Sequence, residues 1–264
     1  MMVKPFITRP LRRLFSTNTN ITPEDTFKGK VIIVDLPVQQ FRLAGRVANL
    51  AWKYTFQVAS LRRMQPADGT YLRPIFLWAD EYQTFCSFFD AEWAAVARSA
   101  GACACLAVQN RESLIRVLGN AATVDSLLGN LQCVFLCQNS SSTTNEWAAK
   151  LIGERYRSIM SFSAGRSNPQ APEADPTMSS GASSSEQRRF YVEPGRFSTL
   201  ARGGAKHDYR VECICFNGGM RFEGADEDGN PALLPYILLT FNQTRDEKKG
   251  PPPERDGPLR RIFR

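Results

Sequence analysis

The sequence predicts an α/β fold, a parallel sheet with helices on both faces, followed by a small β-rich carboxyl-terminal extension. Short apolar runs alternate with helical patterns up to about residue 157, and two of the runs, ACACLAV and LQCVFLC, are apolar throughout. Strands that are buried on both faces are typical of parallel sheets, and the intervening helices provide the crossover connections. Strand-like runs separated by glycines after residue 190 predict the extension.

Each element has a local signal. Val31 to Val34 is β-branched throughout and Pro37 follows it, which predicts a buried strand. A helical pattern over 43–63 ends on two arginines, which suit the carboxyl end of a helix dipole. The next elements are an apolar strand ending at Asp80, a helix closed by Gly101, a strand ending at Gln109, two short helices, and a further strand and helix.

Composition divides the chain into four segments. Residues 1–157 carry the strand–helix alternation, and 158–189 are rich in serine and proline, which predicts a disordered linker or long loop. Residues 190–244 are the β-rich extension that completes the domain. Residues 245–264 are charged and rich in proline, which predicts a flexible tail.

Charge and cysteine content bound the functional class. The net charge of +7 allows an acidic partner such as nucleic acid, and a solvated basic surface explains it equally well. The seven cysteines are odd in number and form no C-x-x-C, so they indicate neither a disulfide framework nor a zinc site. Reduced core cysteines fit a cytoplasmic protein. No apolar run approaches the ~18 residues of a membrane span.

Two adjacent carboxylates end the second predicted strand. An apolar strand followed by Asp80 and Glu81 is the Walker B pattern, in which the aspartate holds Mg²⁺, usually through water, and the glutamate polarises the attacking water. Gln109 ends the next strand and could contact the same phosphate. The alternative is that the two carboxylates only cap the following turn. An unrelated enzyme is disfavoured, because the single histidine, His207, lies in a loop without an evident nucleophile partner.

The order of several motifs carries a more specific signal. The runs VIIVDLP, LWADEYQ, AVARSAGACACLAVQNRESL and LGNAATVDSLLGNLQCVFLCQNSSSTTNEWAAKLIGE follow one another, and RFYVEPGRFSTLARGG comes after them. In this order they resemble the carboxyl-terminal half of type IV secretion coupling proteins, the TraG/TraD family of conjugative DNA-transfer ATPases. The resemblance extends from about Phe15 to Gln243. It implies part of a RecA-like P-loop ATPase domain.

The resemblance also implies roles, ligands and partners. Asp80 and Glu81 would be the Walker B pair, with Asp80 holding the Mg²⁺ of Mg·ATP through water, and Gln109 would be the sensor. Arg98 matches an arginine that family members can offer to a neighbouring subunit's nucleotide, although a helix-surface arginine is an equal alternative. Family members act as hexameric rings around DNA, contact relaxosome proteins, and are anchored in the inner membrane. The chain would therefore be cytoplasmic, at the membrane only through partners.

The sequence departs from the family at the phosphate-binding loop. A Walker A loop needs Gly-x4-Gly-Lys-Ser/Thr, because closely spaced backbone amides cradle the phosphates. The only Gly-Lys, Gly29-Lys30, is followed by Val31, and Glu24 stands where the first glycine should be. We therefore expect the chain to begin after the P-loop strand, to bind Mg·ATP poorly on its own, and to be inactive alone as an ATPase.

Two hypotheses follow. In the first, the chain is half of a split or truncated motor, and a separate protein with a Walker A loop and membrane anchor supplies the rest. In the second, it is a non-catalytic module that binds relaxosome proteins or sister subunits.

Overall fold

The computed structural model describes residues 7, 12, 15, 18–63, 73–166, 178–226 and 229–244. The helices within these ranges are α1 (Val38–Leu61), α2 (Phe89–Ala97), α3 (Arg111–Leu118), α4 (Ala121–Gly129), α5 (Ser142–Ile152) and α6 (Pro194–Ser198). Single 3-10 turns span Pro23–Lys28, Tyr82–Thr84, Arg98–Ala100 and Ala205–His207. The predicted tail, 245–264, lies outside the described residues.

Within the described part of the chain, the strands form four small sheets. They are β1 (Ile75–Ala79), β2 (Ala102–Leu106), β3 (Cys133–Cys137), β4 (Glu154–Arg166), β5 (Met178–Phe190), β6 (Arg210–Asn217), β7 (Phe222–Ala225), β8 (Pro231–Leu234) and β9 (Tyr236–Asn242). The pairs β1–β2, β4–β5 and β7–β8 each form a sheet, and β3, β6 and β9 form the fourth in the order β3-β6-β9. Among the strands of the described residues, only β1 and β2 pair in parallel.

The chain divides into two compact units, the first within residues 1–132 and the second at 133–244. In the first unit, α1 buries one stripe, including Ala48, Phe56 and Ala59, because its apolar residues recur at helical spacing. Phe56 belongs to a core cluster with Ile75 of β1 and Trp93 of α2. These contacts place α2, the helix that follows β1 in the chain, against the strand pair, as the sequence predicts.

The second unit is built on the antiparallel sheet. Its central strand, β6, pairs with β3 on one side and with β9 on the other. One face of the sheet buries Leu136 and Ile214 in a core cluster with Ala148, Ala149 and Ile152 of α5. An antiparallel sheet with a helix on one face is typical of an α+β unit. The predicted fold class is confirmed: β1, β2 and their helices are the α/β part, and the antiparallel extension begins at β3.

The predicted disordered linker is wrong for the described part of 158–189. Strands β4 and β5 pair in antiparallel register over thirteen residues each, from Glu154 opposite Phe190 to Arg166 opposite Met178. The low apolar content that suggested disorder covers β5 and the end of β4, whereas the earlier part of β4 supplies Ile159, Met160 and Phe162. Backbone pairing with β4 holds β5 in a strand although β5 has few apolar side chains. Residues 167–177 lie outside the described residues.

Two further expectations change. Residues 31–34, predicted as a buried strand, form no strand, and Val31 and Ile33 are 67% and 70% exposed. A β-branched run becomes a strand only where a neighbouring strand accepts its hydrogen bonds, and the described residues provide none there. The unit boundary also falls at residue 133 rather than after 157, because β3 pairs with the later strands β6 and β9.

Candidate functional site

The parallel strand pair brings three of the predicted site residues to one edge. Strands β1 and β2 pair from Ile75 opposite Ala102 to Ala79 opposite Leu106. The ladder continues past their ends, since Ala107 N donates to Ala79 O at 2.8 Å and Tyr82 N donates to Ala107 O at 3.0 Å. Because the strands are parallel, their carboxyl ends lie at the same edge, where α/β proteins bind ligands. Asp80, Glu81 and Gln109 follow those ends.

The Glu81 carboxylate is held by two amide side chains. Gln83 Nε2 donates to Glu81 Oε2 at 2.5 Å, and Gln109 Nε2 lies 3.4 and 3.3 Å from Oε1 and Oε2. Asp80 is exposed, and its Oδ1 accepts a hydrogen bond from the backbone N of Glu81 at 2.9 Å. The two carboxylates and the glutamine therefore form one contiguous polar cluster. The turn that follows, Tyr82–Thr84, has Glu81 at its N-cap and no side-chain capping hydrogen bond. The Walker B role of the two carboxylates stays a prediction.

The backbone of Glu81 adopts an unusual conformation. Its φ and ψ are 48° and 39°, the left-handed region, which costs roughly 1–2 kcal/mol for a residue with a Cβ. Its carbonyl oxygen accepts hydrogen bonds from Thr84 N at 2.9 Å and Thr84 Oγ1 at 2.8 Å. Arg46 Nε of α1 donates to Thr84 O at 2.6 Å and fixes this turn from outside. Strain held by surrounding contacts at the end of a strand is a common property of functional sites.

Arg98 is not part of this cluster. It is exposed, at the carboxyl end of α2, and precedes Gly101, whose carbonyl accepts a hydrogen bond from Ile75 N at 3.0 Å. Arg98 therefore lies near the amino end of the strand pair. The five residues of β1 separate the two ends by about 16 Å. Within one subunit, Arg98 does not reach the carboxylates.

A buried polar network beneath the cluster was missed by the sequence analysis. The Asp90 carboxylate accepts hydrogen bonds from Lys53 Nζ, from Tyr82 OH, from Gln57 Nε2 at 2.9 Å and from Ser87 N at 2.8 Å. Lys53 and Asp90 are each about 2% exposed. Because Tyr82 follows Glu81 directly, the network ties α1 and α2 to the turn that carries the candidate site.

The electrostatics of this network follow from burial. Desolvation lowers the pKa of Lys53, and the attraction of Asp90 opposes that shift. Desolvation raises the pKa of Tyr82, and the Asp90 carboxylate raises it further. The tyrosine therefore stays protonated and donates to Asp90. The sequence did contain a signal for this network. Lys53 and Gln57 recur at the same helical spacing as the buried Phe56 and Ser60, so polar groups lie on the buried stripe of α1.

The site supplies only part of what Mg·ATP requires. An exposed Asp80 and a half-buried Glu81 at the carboxyl edge suit a Mg²⁺ held through water. No group of three or more His, Cys, Asp or Glu residues capable of holding a metal occurs among the described residues. Gly29 ends the Pro23–Lys28 turn with φ 88°, and Lys30 Nζ pairs with Asp25 Oδ1 at 2.8 Å. The single Gly-Lys is thus a helix-end turn and not a phosphate loop.

No helix in the described part of the chain has the length and hydropathy to cross a membrane.

Comparison with known proteins agrees with this geometry. A family model, described as the TraM recognition site of TraD and TraG, matches residues 74–201. Among solved structures, the bacterial conjugative coupling protein TrwBdeltaN70 in its unbound monoclinic form matches with a TM-score of 0.51 and 15% identity, over 81% of this chain. The chain spans 41% of the length of that structure. No curated protein matches the sequence.

The strand pair with its polar carboxyl edge and the structural match define an α/β protein with part of a RecA-like fold. At 15% identity the structural match supports the fold alone. The family model gives evidence on the family, and the residues it matches include β1, β2 and the whole polar cluster. The match over residues 74–201 confirms the resemblance to the carboxyl-terminal half of the TraG/TraD family of conjugative coupling proteins that was seen in the sequence.

Proposed function

We propose that the chain supplies the Walker B and sensor side of the nucleotide site of a conjugative coupling protein, a DNA-translocating ATPase that links DNA to the secretion channel. The observation that carries the proposal is the Glu81 carboxylate held by Gln83 and Gln109 at the carboxyl edge of a parallel strand pair. In the proposed site, the Glu81 carboxylate held in this way would serve as the acceptor that polarises the attacking water.

Each residue has a distinct task in this proposal. Mg·ATP, when bound, supplies the γ-phosphate that water attacks. Asp80, exposed and adjacent, would hold the metal through water, and Glu81 would orient and polarise the attacking water. Gln109, hydrogen-bonded to Glu81, would report the state of the γ-phosphate to β2. Arg98, before the amino end of β2, would act on a neighbouring subunit's nucleotide in a ring of six rather than on its own.

Hydrolysis requires a Walker A loop, and these 264 residues contain none. A polypeptide that contains the loop and a membrane anchor must contribute it, either as part of a longer chain or as a separate subunit. We expect no ATP hydrolysis above background by the 264-residue chain alone. With the Walker A polypeptide added or fused, Glu81→Gln should lower turnover about a hundredfold or more. Glu92→Gln, an exposed carboxylate on α2, is the matched control.

Robust hydrolysis by the isolated chain that disappears in Glu81→Gln would refute the missing-loop part of the proposal. Equal turnover of Glu81→Gln and Glu92→Gln in the complete site would refute the assignment of Glu81.

The family match also favours a binding role. The matching family model is described as a TraM recognition site, and we propose that residues 74–201 bind a relaxosome protein of that kind. This role does not need the carboxylate, so Glu81→Gln should leave the affinity for such a protein unchanged. Isothermal titration with a TraM-type relaxosome protein measures it, and absence of binding by the wild-type chain would refute the role.

DNA contact is proposed as weak and independent of sequence. The net charge of +7 attracts phosphates, while no stripe of basic and aromatic residues that would track a strand is evident in the sequence. Fluorescence anisotropy with labelled DNA should show affinity that falls as salt rises. Tight, sequence-specific binding at high salt would contradict this. Attachment to the inner membrane would come through partners.

A further inference from the structure

The second unit carries four thiols on one face of its sheet. Cys137 lies directly opposite Cys213 in the β3–β6 ladder, and residues that face each other in an antiparallel pair project to the same side. Cys215 lies two residues along β6 on that side, and Cys133 lies four residues along β3. The sulfur atoms of Cys133 and Cys215 are 3.9 Å apart.

From this arrangement we infer that Cys137 and Cys213 form a modification site, at which a hydroperoxide converts the two thiols to an intramolecular disulfide. The inference goes beyond the proposed nucleotide site, because it involves neither Glu81 nor any residue of the first unit.

The backbone already has the separation that a disulfide needs. Directly opposed residues of an antiparallel pair have Cα atoms about 4.5–5.5 Å apart, and disulfides span about 4.4–6.8 Å. Cys133 is opposite Asn217 and Cys215 is opposite Phe135, so that second pair is diagonal and its Cα atoms are farther apart, about 7–8 Å. Closure at Cys137 and Cys213 therefore needs no shift of the strands, whereas closure at the diagonal pair does.

The two thiols differ in exposure and in pKa, and this reaction requires one accessible, reactive thiol and one thiol that attacks second. Cys137 is exposed, and Cys213 is 1% exposed. The neighbouring Cys213 thiol lowers the pKa of Cys137 to about 7, and the pKa of Cys213 is raised by the same pairing and by burial. Near neutral pH the accessible sulfur is thus partly thiolate, the form that reacts with peroxides, and the buried sulfur keeps its proton.

The chemistry balances in two steps. The Cys137 thiolate attacks one oxygen of the hydroperoxide, the O–O bond breaks, and a sulfenic acid forms while the other oxygen leaves as an alcohol or water after protonation. The Cys213 sulfur then attacks the sulfenic sulfur, its proton and the hydroxyl leave as a second water, and the S–S bond forms. Two thiols are oxidised and one hydroperoxide is reduced.

The test treats the reduced full chain with hydrogen peroxide and maps peptides without reduction. The expected product is a linked peptide pair joining Cys137 to Cys213 with the loss of two hydrogens. It should disappear in Cys137→Ser and persist in Cys103→Ser, the control for an exposed thiol on β2. Dimedone, which traps sulfenic acid, should label Cys137 several-fold more in Cys213→Ala than in the wild-type chain, because the resolving thiol is gone.

Cys213 is buried, so Cys213→Ala is first checked for the wild-type far-ultraviolet circular dichroism spectrum. If that variant does not fold, wild type and Cys137→Ser still decide the question through the linked peptide. The inference fails if Cys103 becomes oxidised while no Cys137–Cys213 link appears. It also fails if the dominant link joins Cys133 to Cys215, or if dimedone labels Cys137 equally with and without Cys213.

Discussion

At the scale of single residues, Asp90 should be the polar group on which the first unit depends most. Replacing it with alanine leaves the ammonium of Lys53 buried and without its carboxylate partner, and takes the acceptor from Tyr82. Breaking a buried ion pair by removing one partner costs about 3–5 kcal/mol. We expect a loss of that size in the free energy of unfolding of Asp90→Ala, measured by urea denaturation followed by circular dichroism.

Asp125→Ala provides the control for Asp90. Asp125 pairs with Arg111 at 2.6 Å, but its side chain is half exposed, and exposed pairs contribute about 0–1 kcal/mol. A loss in Asp90→Ala no larger than that in Asp125→Ala would show that the buried network is not a stabilising unit.

The thiol of Cys86 should make stability fall at alkaline pH. Burial raises its pKa from 9.0 to about 11. Below pH 9 both folded and unfolded chains hold the proton; between 9 and 11 the unfolded chain releases it first, so unfolding becomes easier as pH rises. The contribution is roughly 1–2 kcal/mol after allowance for solvent screening. Unfolding of wild type and Cys86→Ala from pH 8 to 11 isolates it, and parallel curves would contradict it.

Three of the four site residues that the sequence predicted follow a strand end, and the fourth, Arg98, follows a helix. Asp80, Glu81 and Gln109 were found because a parallel strand pair brings its carboxyl ends together, and the role of each stays a prediction. Asp90 was not found, because its partners Lys53 and Gln57 are more than thirty residues away and only the packing of α1 on α2 brings them together. Local spacing carries no information on such contacts.

At the scale of elements, the β4–β5 hairpin should exchange its amide hydrogens faster than β6. The hairpin is a two-stranded sheet with Tyr156 and Phe162 mostly exposed, and two-stranded sheets are marginally stable in water. Strand β6 pairs on both sides and buries Ile214. Hydrogen–deuterium exchange read by mass spectrometry should show the difference as at least tenfold slower exchange in β6.

Slow exchange in β4 and β5, comparable to that in β6, would mean that a partner or another surface covers the hairpin. Comparing peptides from β4 with peptides from α5, which precedes it in the chain, controls for unfolding of the whole second unit.

The same hairpin shows what sequence patterns leave out at this scale. Strands β1 and β2 and the helices after them have period and cap signals of their own, so they were predicted within a few residues. A strand such as β5 has weak intrinsic preference and forms because β4 is opposite it, whereas 31–34 has strong preference and no partner among the described residues. Whether such a segment forms a strand therefore depends on a neighbouring strand that accepts its backbone hydrogen bonds.

At the scale of the whole molecule, the exposed face of the β1–β2 sheet should drive self-association. Phe76 and Trp78 lie on one face and are 55% and 77% exposed, although parallel sheets are normally covered on both faces. We expect Trp78→Ser to lower the fraction of oligomer in size-exclusion chromatography with light scattering, while changing the free energy of unfolding by less than about 1 kcal/mol.

Phe88→Ser is the control, since Phe88 is also exposed but precedes α2 and is not in the sheet. A clean monomer for the wild-type chain, stable on warming, would show that this face needs no cover. It would also weaken the idea that the chain requires another part of a motor.

Under the proposed function, the left-handed backbone at Glu81 sets stability against activity in the evolution of the sequence. Glycine adopts φ 48° without the cost that a Cβ imposes, so Glu81→Gly should raise the free energy of unfolding by about 1 kcal/mol while removing the carboxylate. A lineage selected only for a folded, partner-binding protein would drift toward glycine or asparagine at this position. A lineage that needs the acid would keep it, and the residue found at this position in related chains would therefore separate working motors from binding proteins.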